Sequence, residues 1–178
     1  MKMPRTPVRF ATLALSALAL ASCGDAGAGA LTAPDARRAG GSLGPQLIEC
    51  PSGTTVSSSA LIGPLGGTVS VGGHSLVIPP LAVLVPTQFT VTAPASNYVE
   101  LDIRAGSQEH YTFQKPVSLT LSYARCTRSD IDKAPLKVFY IDSASNAILE
   151  DMGGTDDKAA RTVTVGTGHL SGYAIGQG

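Results

Sequence analysis

Val117-Ser118-Leu119-Thr120-Leu121-Ser122-Tyr123 alternates apolar and hydroxyl-bearing side chains without a break. In an extended chain such alternation puts the odd-numbered residues on one face and the even-numbered residues on the other. The stretch therefore reads as a β-strand with one face buried and one face wet. Weaker versions of the pattern lie on both sides of it, at 54–60, 67–71, 75–78, 88–92, 99–104, 136–141, 147–150, 161–165 and 173–175. Between them stand turn signals: Gly66-Gly67, Gly72-Gly73, Ser145-Asn146 and Gly153-Gly154. Only residues 127–134 have the makings of a helical turn, with Ser129 and Asp130 as capping side chains. Short strands at nearly regular spacing with no helices predict an all-β, antiparallel β-sandwich. About 130 residues are enough for one domain around one core.

The strand pattern begins only at Gln46. Lys2, Arg5 and Arg9 precede an apolar run from Phe10 to Leu20, too short to cross a bilayer as a mature helix. Residues 1–22 read as a cleaved secretory signal. Its end, Leu20-Ala21-Ser22-Cys23, resembles the lipobox of bacterial lipoproteins at all four positions. That resemblance implies lipid on the Cys23 sulfur, cleavage before it and acylation of the new amino group, since one acyl chain anchors only marginally and two or three hold stably. The alternative is an ordinary secretory signal with a cysteine there by chance. Gly24, not Asp, follows the cysteine, which within that family favours an outer membrane where the cell has one, with the domain facing periplasm or exterior. Residues 23–45, rich in Gly, Ala, Ser and Pro, read as the lipidated cysteine and a flexible tether, leaving 46–178 as the domain.

The chain carries 13 basic and 13 acidic residues, and loss of the leader leaves 10 against 13, a net charge of −3. A mildly acidic exported protein has no electrostatic case for nucleic acid. With Cys23 taken by lipid, Cys50 and Cys126 remain. In an oxidising compartment an even pair reads as a disulfide, with two buried free thiols as the alternative. Closing a loop of about 75 residues stabilises by about 4 kcal/mol in the chain-entropy picture.

Four stretches, taken in order, are similar to a ZU5 domain. They are Gly66-Gly67-Thr68-Val69 with Leu76-Val77-Ile78-Pro79-Pro80-Leu81-Ala82; Tyr111-Thr112-Phe113-Gln114-Lys115-Pro116-Val117; Leu136-Lys137-Val138-Phe139-Tyr140; and His169-Leu170-Ser171-Gly172-Tyr173-Ala174-Ile175. The family pattern for the first ends in "IPPGA", so Leu81 replaces a glycine and the turn after the prolines is expected to be altered. The last is similar to a closing "HFSxYAV" strand, with Leu170 for Phe. The resemblance implies a protein-interaction module rather than an enzyme, with an envelope or extracellular protein as partner and no cofactor. Independently of the family, Pro79-Pro80 removes two backbone donors, so that run must lie at an edge or leave its sheet.

Residues that could carry chemistry are few. In some ZU5-type proteins a His-apolar-Ser tripeptide cleaves itself, which would make Ser171 the nucleophile, His169 the base and Leu170 the residue that loses its carbonyl. The reaction also needs a strained peptide bond. The plain alternative is a strand with His169 and Ser171 on one face and Leu170 packed on the other. His74, His110 and His169 stand singly, without metal-ligand spacing. Glu150-Asp151 and Asp156-Asp157 flank Met152-Gly153-Gly154-Thr155, and hard oxygen ligands on a glycine loop suit calcium, although an acidic hairpin tip is ordinarily a solvated turn. Glu100 and Asp102 share a strand face with Arg104 and read as a solvated face, and Ser57-Ser58-Ser59 lacks a nucleophile elbow. A hydrolase would have to assemble its site from residues distant in sequence, in a cleft where an acid or a histidine meets a serine.

Overall fold

The computed structural model describes residues 44–178. The leader, Cys23 and nearly all of the tether lie outside the described residues. The described chain is all-β and forms two antiparallel sheets.

Twelve strands follow one another: β1 (Gln46–Leu47), β2 (Val56–Ile62), β3 (Gly67–Val71), β4 (His74–Ile78), β5 (Thr87–Ala93), β6 (Glu100–Ala105), β7 (Tyr111–Ser122), β8 (Lys137–Ile141), β9 (Ile148–Gly153), β10 (Thr155–Asp157), β11 (Thr162–Leu170) and β12 (Gly172–Gln177). The seven-stranded sheet runs β2-β5-β6-β12-β8-β9, with β1 on the far half of β12; the five-stranded sheet runs β10-β11-β7-β4-β3. The stretch 117–123 behaves as its pattern predicts. Val117, Leu119 and Leu121 are buried, whereas Ser118, Thr120 and Ser122 are only partly covered. They meet Phe89, Val91, Leu101 and Ile103 of the other sheet in one apolar cluster, a sandwich-like core. Burying each such side chain contributes about 1.5–3 kcal/mol.

The ladder registers show where local chemistry sets the bounds. β7 begins at Tyr111, six residues before the expected start at Val117, and runs straight through Pro116. Opposite it β11 shifts register between Thr167 and His169, so the ladder is interrupted where proline has no amide to offer. The run containing Pro79-Pro80 leaves its sheet after Ile78, as those two missing donors require. Leu81 then takes φ 65°, the left-handed region ordinarily left to glycine, and its amide donates to the Pro64 carbonyl at 2.8 Å. Gly66, at φ 74°, lies so close to the Ile78 carbonyl that a Cβ there would collide with it.

One expectation is met in part and one is corrected. Residues 127–134 hold a hydrogen-bonded turn, the Lys133 amide donating to the Asp130 carbonyl at 3.1 Å, but no helix. Lys158 takes the Ile131 and Ala134 carbonyls, both at 2.8 Å, Ile131 is pinned in the core, and Asp130 pairs with Arg128 instead of capping. The acidic segment 150–157 is no hairpin tip either. Glu150 and Asp151 lie within β9, Asp156 and Asp157 within β10, and these strands belong to different sheets. Gly153 (φ 69°) and Gly154 (φ 123°) carry the chain across.

The expected Cys50–Cys126 disulfide is present, with Cα atoms 4.8 Å apart. It joins the segment after β1 to the loop after β7. Arg125 lies beside it and donates to the carbonyls of Pro51 (2.6 Å), Ser96 (3.0 Å) and Tyr98.

Candidate functional site

Between β11 and β12 the chain passes from one sheet to the other across one residue, Ser171. Leu170 pairs with Tyr111 in the five-stranded sheet, Gly172 pairs with Asp102 and Ile141 in the seven-stranded sheet, and the Ser171 carbonyl accepts from the Ile103 amide at 3.2 Å. The peptide bond singled out for self-cleavage thus sits at a corner of the molecule. Gly172 makes the corner possible, because a Cβ there would run into Ser143.

His169 is partly buried beside Tyr140, their ring centroids 5.3 Å apart, and its partners are Thr167 and Tyr173. The Tyr173 hydroxyl donates to the His169 carbonyl at 2.5 Å and lies 3.4 Å from its Nδ1. Thr167 Oγ1 is 3.0 Å from both the Tyr173 hydroxyl and the His169 carbonyl. Burial pushes the Tyr173 hydroxyl up to about 12, so it keeps its proton and acts as donor. Among the described residues no hydrogen bond joins His169 to Ser171, and Leu170 is fully buried. The register shift near Gly168 puts Thr167 inside and leaves His169 half out. Thr167 goes unnoticed in the sequence and Tyr173 reads there only as part of the closing strand, since nothing marks the two hydroxyls that hold the histidine.

Outside the corner is a polar cavity of about 340 Å³, lined among others by Ser171, His110, Asp102, Arg104, Glu109 and Ser143. It brings two serines, a histidine and three carboxylates, Asp102, Glu109 and Asp142, to one place. Arg104 pairs with Asp102 at 2.7 Å and Glu109 at 3.0 Å, and Asp142 accepts from the Ser145 hydroxyl at 2.7 Å. Among the described residues none of these groups hydrogen-bonds Ser171. The cavity holds an ion-pair network with a serine at its edge and no assembled base.

The other candidates are tied into the scaffold. His74 is buried and accepts the Ser122 amide on Nδ1 at 3.1 Å; burial first and Arg125 second lower its pKa to about 4. Asp156 accepts from the Tyr123 hydroxyl (2.8 Å) and the Leu136 amide (2.7 Å) and pairs with Lys158 (2.8 Å). Burial raises its pKa, but these partners outweigh that and hold it below the ordinary carboxylate value. Asp151 pairs with Lys137 at 2.8 Å. Asp157 accepts from the Ala160 amide at 2.9 Å, so three of the four carboxylates of the acidic segment are bonded within the chain, and among the described residues no group of three or more His, Cys, Asp or Glu is placed to hold a metal. Ser57 and Ser59 face Thr92 and Thr90 across β2–β5, at 3.0 and 2.8 Å. Among the described residues no helix is long and apolar enough to cross a membrane.

The sequence matches no protein-family model and no curated protein.

Proposed function

We propose that this chain is an exported lipoprotein, held on a membrane through lipid on Cys23, that presents a ZU5-like β-sandwich as a non-enzymatic protein-interaction or structural module at the cell envelope. One observation carries the non-enzymatic reading. His74, His169 and Asp156 serve the scaffold, and Ser171 faces a cavity in which, among the described residues, no side chain hydrogen-bonds it. The lipobox at 20–23 and the ordered ZU5-like stretches supply the rest. The domain binds through its surface, and its partner is an envelope or extracellular protein. The test is the mass of the amino-terminal peptide from the membrane fraction, together with the fractionation of Cys23→Ala. A diacylated or triacylated peptide beginning at Cys23, and release of the variant from the membrane, are expected. An unmodified Cys23 in a soluble protein would sink the anchor.

The corner at Ser171 favours a second reading, self-cleavage between Leu170 and Ser171. The Ser171 hydroxyl would attack the Leu170 carbonyl, break its bond to the Ser171 nitrogen and form an ester that water then hydrolyses. This requires His169 to turn from Tyr173 toward Ser171. Residues 171–178 carry β12, the strand that pairs with β1, β6 and β8, so the fragment would stay bound after the cut. Intact mass under denaturing conditions decides: a single species that retains residues 171–178 rules cleavage out.

A further inference from the structure

The four strands that end the two sheets are not alike. β9 carries Glu150 and Asp151 and two register shifts against β8. β10 is three residues long and carries Asp156 and Asp157. Charge, irregularity and shortness are the usual means by which an exposed strand edge is kept from pairing with another chain. β3, five residues in regular register with β4, and β2 have none of them, and β2 is the longer. It is seven residues long, Val-Ser-Ser-Ser-Ala-Leu-Ile, in regular register with β5 and with no ladder partner on its other side among the described residues. No Asp, Glu, Lys or Arg occurs between Glu49 and Glu100, so the neighbouring β3, β4 and β5 are equally without charge.

We infer that the free edge of β2 pairs antiparallel with β2 of a second copy of this chain, joining two seven-stranded sheets across a two-fold axis at Ser59. The strand is complementary to itself in that register. Val56 falls opposite Ile62, Ser57 opposite Leu61, Ser58 opposite Ala60, and Ser59 opposite its own equivalent. The outward hydroxyls already pair across the sheet, Ser59 with Thr90 and Ser57 with Thr92, and the dimer continues that row as Thr90–Ser59–Ser59–Thr90. Leu61, 73% exposed on the same face, gains cover from its neighbours across the axis. On the two-fold axis Ser59 lies beside its own copy, where a charge would repel itself, and this strand carries no charge. Two-fold pairing is the commonest way identical chains associate. The contact is separate from any partner of the proposed module and stands or falls by itself.

The test is sedimentation equilibrium of the exported full-length chain in density-matched detergent. The wild type should have twice the chain mass. Ser59→Lys, an outward-facing change, should return it to monomer, and Leu149→Lys on β9 should leave the dimer intact. Ser59→Cys provides a check that does not depend on how Ser59→Lys folds. Directly opposed residues have Cβ atoms about 4.5–5.5 Å apart, close enough for an intermolecular disulfide that appears on a non-reducing gel. A wild type that is monomeric at every concentration, with no cross-link through Cys at 59, overturns the inference. So does a dimer that Ser59→Lys leaves undisturbed.

Discussion

At the end of the domain that holds Gln46, Cys50 and Cys126, side chains reach across from one element to the next; at the opposite end, loops project with their apolar groups in water. The first end has the disulfide, the Arg125 fork on three carbonyls, the Lys158–Asp156–Tyr123 chain and His74 on the Ser122 amide. The second has Leu65, Leu81, Leu84 and Val85, all more than half exposed, on the turns after β2 and β4. The difference teaches that stability and presentation are divided lengthwise in this fold. The end at which the described chain begins is cross-linked, and the far end exposes its apolar side chains.

Breaking the cross-links tests that division most severely. Replacing Cys50 and Cys126 by Ser should cost about 4 kcal/mol, read as a lower urea midpoint, because the open chain regains the entropy of the loop. A loss under about 1 kcal/mol would mean that the covalent tie is incidental to the first end. Next in size is acid. His74 has a folded pKa of about 4 against an ordinary value near 6.5, so the unfolded chain binds the extra proton between these values. Stability is therefore full above about pH 6.5 and falls by about 3 kcal/mol as pH drops to about 4. His74→Gln should flatten the profile across that window, and an unchanged profile would remove His74 from the account. At the far end the effects should be small and of the other sign. Leu81→Gly relieves a left-handed leucine and should raise stability by about 0.5–1 kcal/mol after the greater freedom of glycine in the unfolded chain is counted. Leu84→Ser should stay within about 0.5 kcal/mol, because that side chain is already in water.

Much of the sheet architecture was legible because alternation is a strong signal wherever one face is buried. The strand at 67–71 matches β3 at both ends, and most of the others lie within two or three residues of the expected bounds. β1 and β10 escaped because strands of two and three residues are too short to alternate. The first half of β7 escaped because Pro116 reads as a stop, and only the partner strand reveals that its missing amide falls at a register shift. β11 was cut short for the same reason: Gly166 and Gly168 look like a loop until the bulge is seen. The Cys50–Cys126 pair followed from counting thiols once Cys23 was set aside. The corner at Ser171 could not be read at all, since two strands separated by one residue look like a single strand until their neighbours differ.

The position of the disulfide has a mechanical consequence. A pull that reaches the domain through its first residues meets β1, held to β12 by a two-residue pairing, and then Cys50. From Cys50 the load crosses the covalent bond to Cys126, beside the end of β7, the middle strand of the five-stranded sheet. The residues between the two cysteines, which carry β2 to β7, are bypassed. Under tension applied at its first residues, the domain can lose β1 while the strands between the two cysteines keep their shape.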